Sequence, residues 1–156
     1  MLLSNIFHPD IIKTPLESTD KEELFEEMVE LYVMHDSSIE RRTILNALWN
    51  RENKLSTAIK DGIALPHARI IGLKEPKGII GISKNGIHYD SGNKPLVYFV
   101  FMLLSTVGDA DLHLQILSGI NVLLGNPEFL NTLLNQTSPE AIYRIIGEYE
   151  AAMLEI

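Results

Sequence analysis

The sequence predicts a single α/β domain, α+β in some schemes, built in three layers with a β-sheet covered by helices on both faces. Three observations lead there. Apolar residues recur at helical spacing towards both ends of the chain, and short β-branched runs separated by Gly, Lys, Pro and Asn fill the middle. The run Leu96 to Leu104 is apolar at all nine positions. A strand with no polar alternation is a central one, so both faces of its sheet need helical cover. A chain of 156 residues is the size of one well-buried core, which removes roughly 70% of its unfolded surface from water. The domain is expected to span 1–156, with a frayed tail over 150–156.

The elements follow in order. Ile11-Ile12-Lys13-Thr14 is β-branched and stopped by Pro15, which predicts a short strand. Thr19 with Glu22 reads as a capping box, and Leu24, Phe25, Met28, Val29 and Tyr32 make one face of a helix over about 20–34. Ser37 with Glu40 repeats the signal ahead of Ile44, Leu45, Leu48 and Trp49, a second helix ending near Arg51-Glu52. Strands are expected at Ile63-Ala64-Leu65, Ile79 to Ile82 and Leu96 to Leu104. Beyond Gly108, Asp109 and Asp111 cap a third helix, and Asn126-Pro127 and Ser138-Pro139 open two shorter ones.

Charge and composition exclude several functions. Lys+Arg 13 against Asp+Glu 21 gives a net charge of −8, with a pI near 5.0, so the basic footprint of a nucleic-acid binder is missing. Without cysteine there is no disulfide framework and no thiolate chemistry. The nine-residue apolar run falls far short of the roughly 20 residues of a membrane-spanning helix. No signal-peptide pattern precedes it, and the expected location is the cytoplasm.

The candidate reactive groups are the five histidines, His8, His35, His67, His88 and His113. None pairs at the spacing of a helical zinc site, so no metal is expected. His8 and His35 read as exposed or cap-like residues, and His88 as the outward position of a short strand. His67 follows Ile63-Ala64-Leu65-Pro66, where proline stiffens the backbone at a strand end and presents one imidazole at a fixed angle. A neutral ring so displayed is a nucleophile; a loop histidine beside a turn proline is the plainer alternative. His113 falls in the first turn of the third helix on its apolar face, where a neutral donor would suit a bound anion and a satisfied core histidine is the other reading. Arg51 either complements the end of helix two or offers a guanidinium fork to a tetrahedral anion. From Arg51 to Gly78 six basic residues face three acidic ones, a local excess that would stabilise developing negative charge.

Taken together, Arg51-Glu52, the stretch Ser56-Thr57-Ala58-Ile59-Lys60-Asp61-Gly62-Ile63-Ala64-Leu65-Pro66-His67, and Leu112-His113-Leu114 resemble the enzyme IIA domain of the fructose/mannitol family of the bacterial phosphotransferase system. The resemblance spans nearly the whole chain. It implies a mixed β-sheet flanked by helices and a phosphocarrier activity with a phosphohistidine intermediate. His67 matches the phosphorylated histidine, His113 the second active-site histidine and Arg51 the phosphoryl-contacting arginine. Ser56, Thr57, Lys60 and Pro66 match the supporting loop. The donor it implies is the histidine-containing phosphocarrier protein, and the acceptor a regulatory target or an enzyme IIB. No cofactor is implied. Ala58 and Lys60 stand where the family has glycines, which is expected to alter the loop, and Lys60 lies close enough in sequence to His67 to reach the phosphoryl centre. A free-standing IIA resembles the regulatory, nitrogen-related branch. Sugar-specific transfer and a non-catalytic binding module of the same fold are the other two readings.

Overall fold

The computed structural model describes residues 2–60 and 62–154. Two single-turn 3-10 helices, Leu3–Asn5 and Pro9–Ile11, lead into β1 (Ile12–Lys13), followed by α1 (Lys21–His35) and α2 (Arg41–Glu52). The strands β2 (Ala58–Lys60), β3 (Ile63–Ala64), β4 (His67–Ile70), β5 (Lys77–Ile87) and β6 (Val97–Thr106) come next. Helices α3 (Ala110–Leu124), α4 (Pro127–Leu134) and α5 (Pro139–Leu154) close the chain.

The sheet is mixed, in the order β1-β5-β6-β3-β2 with β4 also on β6. β5 runs antiparallel along one edge of β6, while β3 and β4 lie parallel to it in succession, Ile63 opposite Phe99 and His67 opposite Leu103. Pro66 sits at the junction, where its missing N–H costs nothing and its carbonyl accepts the Leu103 amide at 2.9 Å. The expected two-sided cover is present. Phe99, Phe101 and Leu103 of β6 pack on one side with residues of α3, α4 and α5, whereas Val100, Met102 and Leu104 pack on the other with α1 and α2. Each buried side chain of this size contributes roughly 1.5–3 kcal/mol, which makes β6 the element on which both layers depend.

Several boundaries differ from expectation for local reasons. Helix α1 is capped by Asp20, whose carboxylate accepts the Glu23 amide, while Glu23 reaches back to the Thr19 amide and hydroxyl. The expected Thr19–Glu22 box is thus replaced by an aspartate cap, with the glutamate's return bond made to the residue before the cap. Ser37 does not cap α2: the Ser38 amide turns to Asp36, and the helix begins after Glu40 without a side-chain cap. Strands β2 and β4 were not expected, being short and half polar, and β5 extends well beyond Ile79 to Ile82. His67 accordingly opens β4 instead of closing a strand. The frayed tail is not seen over residues 150–154, where α5 continues to Leu154 with the Glu150 carboxylate, 6% exposed, accepting the amides of Leu3 and Ser4. Residues 155 and 156 of that expected tail lie outside the described ones.

Positions 58 and 60 need no glycine. Among the described residues every positive φ belongs to glycine, and Gly62 supplies the turn with φ 86° between β2 and β3. Its carbonyl accepts the amides of both Tyr98 and Phe99, at 2.8 and 3.0 Å. Ala58 and Lys60 are strand residues, so the loop keeps its path without the two glycines.

Candidate functional site

Alternation along β4 sends Ala68 and Ile70 into the α1–α2 core and leaves His67 and Arg69 at the other positions. There His67 meets His113, one turn into α3, with ring centroids 5.6 Å apart. The two histidines line one depression together with Arg51, Lys54, Arg69, Asn50, Ala47 and Ala68. Three cations and no carboxylate line it, in a chain whose net charge is −8. Such a concentration of positive charge in a depression attracts an anion.

A hydrogen bond fixes the proton on the first ring. Nδ1 of His67 lies 2.8 Å from the Leu65 carbonyl. A carbonyl only accepts, so Nδ1 carries the proton and Nε2 of the neutral ring keeps its lone pair. Burial lowers the His67 pKa, and the Arg51 charge adds to that against the opposing Leu65 carbonyl and Glu52 carboxylate. Neutral imidazole is therefore the form present at pH 7. His113 is 8% exposed, with Nδ1 2.5 Å from the Ser105 hydroxyl. Its pKa is also lowered, by burial first and then by His67 and Arg69.

Arg51 lies in the last turn of α2, and its Nη1 donates to the Leu55 carbonyl at 2.9 Å, which closes the chain back on the helix and leaves further N–H groups of the fork. Behind it Glu52, 5% exposed, accepts from the Thr57 amide and hydroxyl at 2.9 and 2.6 Å and from Lys21 Nζ at 3.1 Å. The Tyr89 hydroxyl sits 2.7 Å from that of Thr57, and burial together with Glu52 pushes its pKa far above the usual phenol range. Lys21 also reaches Asp90, which accepts the Ser56 hydroxyl at 2.7 Å.

These bonds sort the expected loop residues. Ser56 and Thr57 turn their hydroxyls into this buried network and do not line the depression; they hold the loop, with the Thr57 carbonyl accepting the Leu65 amide at 2.9 Å. Pro66 shapes the backbone before His67. Lys60 is not brought to the histidines. Its ammonium donates to the Leu124 carbonyl at 2.7 Å, at the C-terminal end of α3, where a helix end attracts a cation. That carbonyl is about 16 Å along the helix from His113.

Four contributors escape the sequence pattern. Ser105 closes an apolar strand, and only the need of a buried hydroxyl for a partner hints at its bond to His113. Asn50 carries no signal of its own. Lys54 and Arg69 show in the sequence only as part of a local basic excess, and folding places both on the depression.

Residues 5–149 match the family described as "Phosphoenolpyruvate-dependent sugar phosphotransferase system, EIIA 2". The chain belongs to this family. The fructose-specific EIIABC component of Bacillus subtilis is 33% identical over 150 residues, 96% of this chain and 24% of that protein, so the chain spans about a quarter of that relative. A fructose-specific EIIA component from Haloferax volcanii is 27% identical over 146 residues, covering 94% of this chain and 95% of that one. The crystal structure of nitrogen regulatory protein IIA-Ntr from Neisseria meningitidis superimposes with a TM-score of 0.84 at 26% identity, over 92% of this chain and 98% of that one. EIIA proteins of this family take part in phosphoryl transfer, and among the described residues no helix is long and apolar enough to cross a membrane.

Proposed function

We propose that the chain is a phosphocarrier that takes a phosphoryl group onto Nε2 of His67 from the histidine-containing phosphocarrier protein and passes it on. The observation that carries this reading is the bond from His67 Nδ1 to the Leu65 carbonyl, which leaves Nε2 as the free nucleophile beside three cations. In the transfer the donor's P–N bond breaks and a bond from phosphorus to Nε2 forms. The donor nitrogen keeps the electron pair, and the proton on His67 Nδ1 stays in place. As Nε2 gives up its pair the ring becomes positive, and the Leu65 carbonyl stabilises that charge. When the Ser105 hydroxyl donates to its Nδ1, neutral His113 carries its proton on Nε2 and donates to a phosphoryl oxygen. Arg51 supplies a guanidinium to the same group, and such transfer relies on positioning and charge neutralisation more than on covalent help. The work proceeds in the cytoplasm, on a single domain.

Incubation with phosphoenolpyruvate, enzyme I and the phosphocarrier protein, followed by intact-mass measurement, tests the proposal. The wild type gains one phosphoryl group and His67→Ala gains none; full modification of His67→Ala would falsify the assignment.

Two destinations have support. The regulatory, nitrogen-related role is supported by the fold match to IIA-Ntr. Sugar-specific transfer to an enzyme IIB is supported by the 33% and 27% identities to fructose-specific proteins, the second of nearly the same span, so size does not separate the roles. Loss of the phosphoryl group on mixing with a fructose-type enzyme IIB decides for sugar transfer, and its retention decides for regulation.

A further inference from the structure

Away from the depression, three side chains from distant parts of the sequence converge. His8 and Asp10 lie on the 3-10 turn that precedes β1, and His35 is the last residue of α1. Oδ2 of Asp10 is 3.6 Å from His8 Nδ1 and 3.5 Å from His35 Nδ1, and the two imidazole rings are 4.9 Å apart. One ligand atom from each residue falls within 4.8 Å of the others. In a tetrahedral site with metal–ligand bonds of about 2.0–2.1 Å, ligand atoms sit about 3.3–3.4 Å apart. Two edges of such a tetrahedron are therefore nearly in place.

We propose that His8, Asp10 and His35 bind one divalent first-row transition metal ion, of the zinc or nickel class, with water in the remaining positions. Two imidazoles and a carboxylate suit these borderline cations better than magnesium or calcium, which prefer all-oxygen shells. The arms of the site are held by the core, so little ordering is needed on binding. Ile6, Phe7, Ile11 and Ile12 are buried on either side of His8 and Asp10, and Tyr32 is buried one turn before His35. The ion sits at the C-terminal end of α1, the negative end of the helix dipole, while Asp10 supplies a full charge. One existing bond is exchanged: His8 Nδ1 accepts the Asp10 amide at 3.0 Å, and when the metal takes that lone pair the exposed amide turns to water. Lys21, at the other end of α1, joins the network behind Arg51, which places the metal site about 20 Å along the helix from that end. It is thus a second site, independent of phosphoryl transfer, that ties the N-terminal turn to α1.

Zinc chloride and nickel chloride titrated calorimetrically into the untagged 156-residue chain test this. One saturable ion per chain is expected. His8→Ala, Asp10→Asn and His35→Gln each weaken it at least about tenfold, since losing even an outer partner of a ligand costs about 10- to 100-fold. His35→Gln alters an exposed helix end and keeps the test valid if His8→Ala disturbs its turn. His67→Ala is the control for the other histidine pair and retains full affinity. Absence of saturable binding in the wild type, wild-type affinity in His35→Gln, or loss of binding in His67→Ala would overturn the proposal.

Discussion

The proton on His67 Nδ1 is tied to a backbone carbonyl, so the reactivity of the ring is set by how readily Nε2 also takes one. Burial, with Arg51, lowers the pKa below the ordinary 6.5. Initial rates of phosphoryl acceptance are therefore expected to stay flat from pH 8 down to about 6.5 and to fall only below it. A rate already halved between pH 8 and 7 would contradict a depressed pKa. The same shift has a sign for stability. His67 and His113 bind a proton less readily folded than unfolded, so each contributes stability that is full above pH 6.5 and is lost as the pH falls through the folded values. Lys60 shows the opposite lesson, that nearness in sequence is not nearness in space. Lys60→Gln is expected to leave transfer and phosphohistidine lifetime unchanged, while thermal melting reports a loss of about 0.3–1 kcal/mol for an exposed cation at a helix C-terminus. A phosphohistidine lifetime shortened in Lys60→Gln would return that ammonium to the reacting centre.

Among the elements, the helix ends carry the polar connections. The Glu52 carboxylate at the end of α2 gathers Thr57 and Lys21, so the loop that leads to His67 is anchored beside Arg51. Glu150 does the same for the N-terminal turn from α5, receiving the Leu3 and Ser4 amides in the interior. Removing a buried acceptor leaves its donors without water or partner, at about 1–3 kcal/mol each. Glu150→Ala is accordingly expected to lower stability by a few kcal/mol, roughly 2 or more, without changing phosphoryl acceptance. Chemical denaturation and the mass assay measure the two effects separately; unaltered stability would mean that the N-terminal turn contributes little to the fold. Sequence patterns show why such links stay hidden. Capping, proline and apolar spacing mark α1 to α5 and β6, because those signals act within a few residues. The short strands β2 and β4 exist through pairing with β3 and β6, and Glu150 reads as one more surface acid near a chain end until α5 is laid beside Leu3.

For the whole molecule, the layered architecture is legible because nine consecutive apolar residues, Leu96 to Leu104, demand cover on both faces. His67, His113 and Arg51 stand out one by one for their neighbours in sequence, and folding gathers them at one depression. Ser105, Asn50 and the convergence of Lys54 and Arg69 were beyond local pattern, since they meet only when β4 pairs with β6 and α2 ends beside them. That convergence separates charge at molecular scale: a chain of net charge −8 presents Arg51, Lys54 and Arg69 together. On the proposed function, a phosphorylated donor approaching such a surface is drawn to the depression and repelled elsewhere, which raises encounter rate more than final affinity. Lys54→Glu and Arg69→Glu, neither in contact with either His ring's Nδ1, reverse the field while leaving the hydrogen bond of His67 in place. Second-order transfer from the phosphorylated carrier protein is expected to slow about tenfold or more in the double variant at low salt, and the deficit should shrink as salt shortens the Debye length to about 3 Å at 1 M. Rapid-quench kinetics across that salt range make the comparison. A slowing that persists undiminished at high salt would place the two cations in contact with the transferred group, where screening is weak, and not in the long-range field.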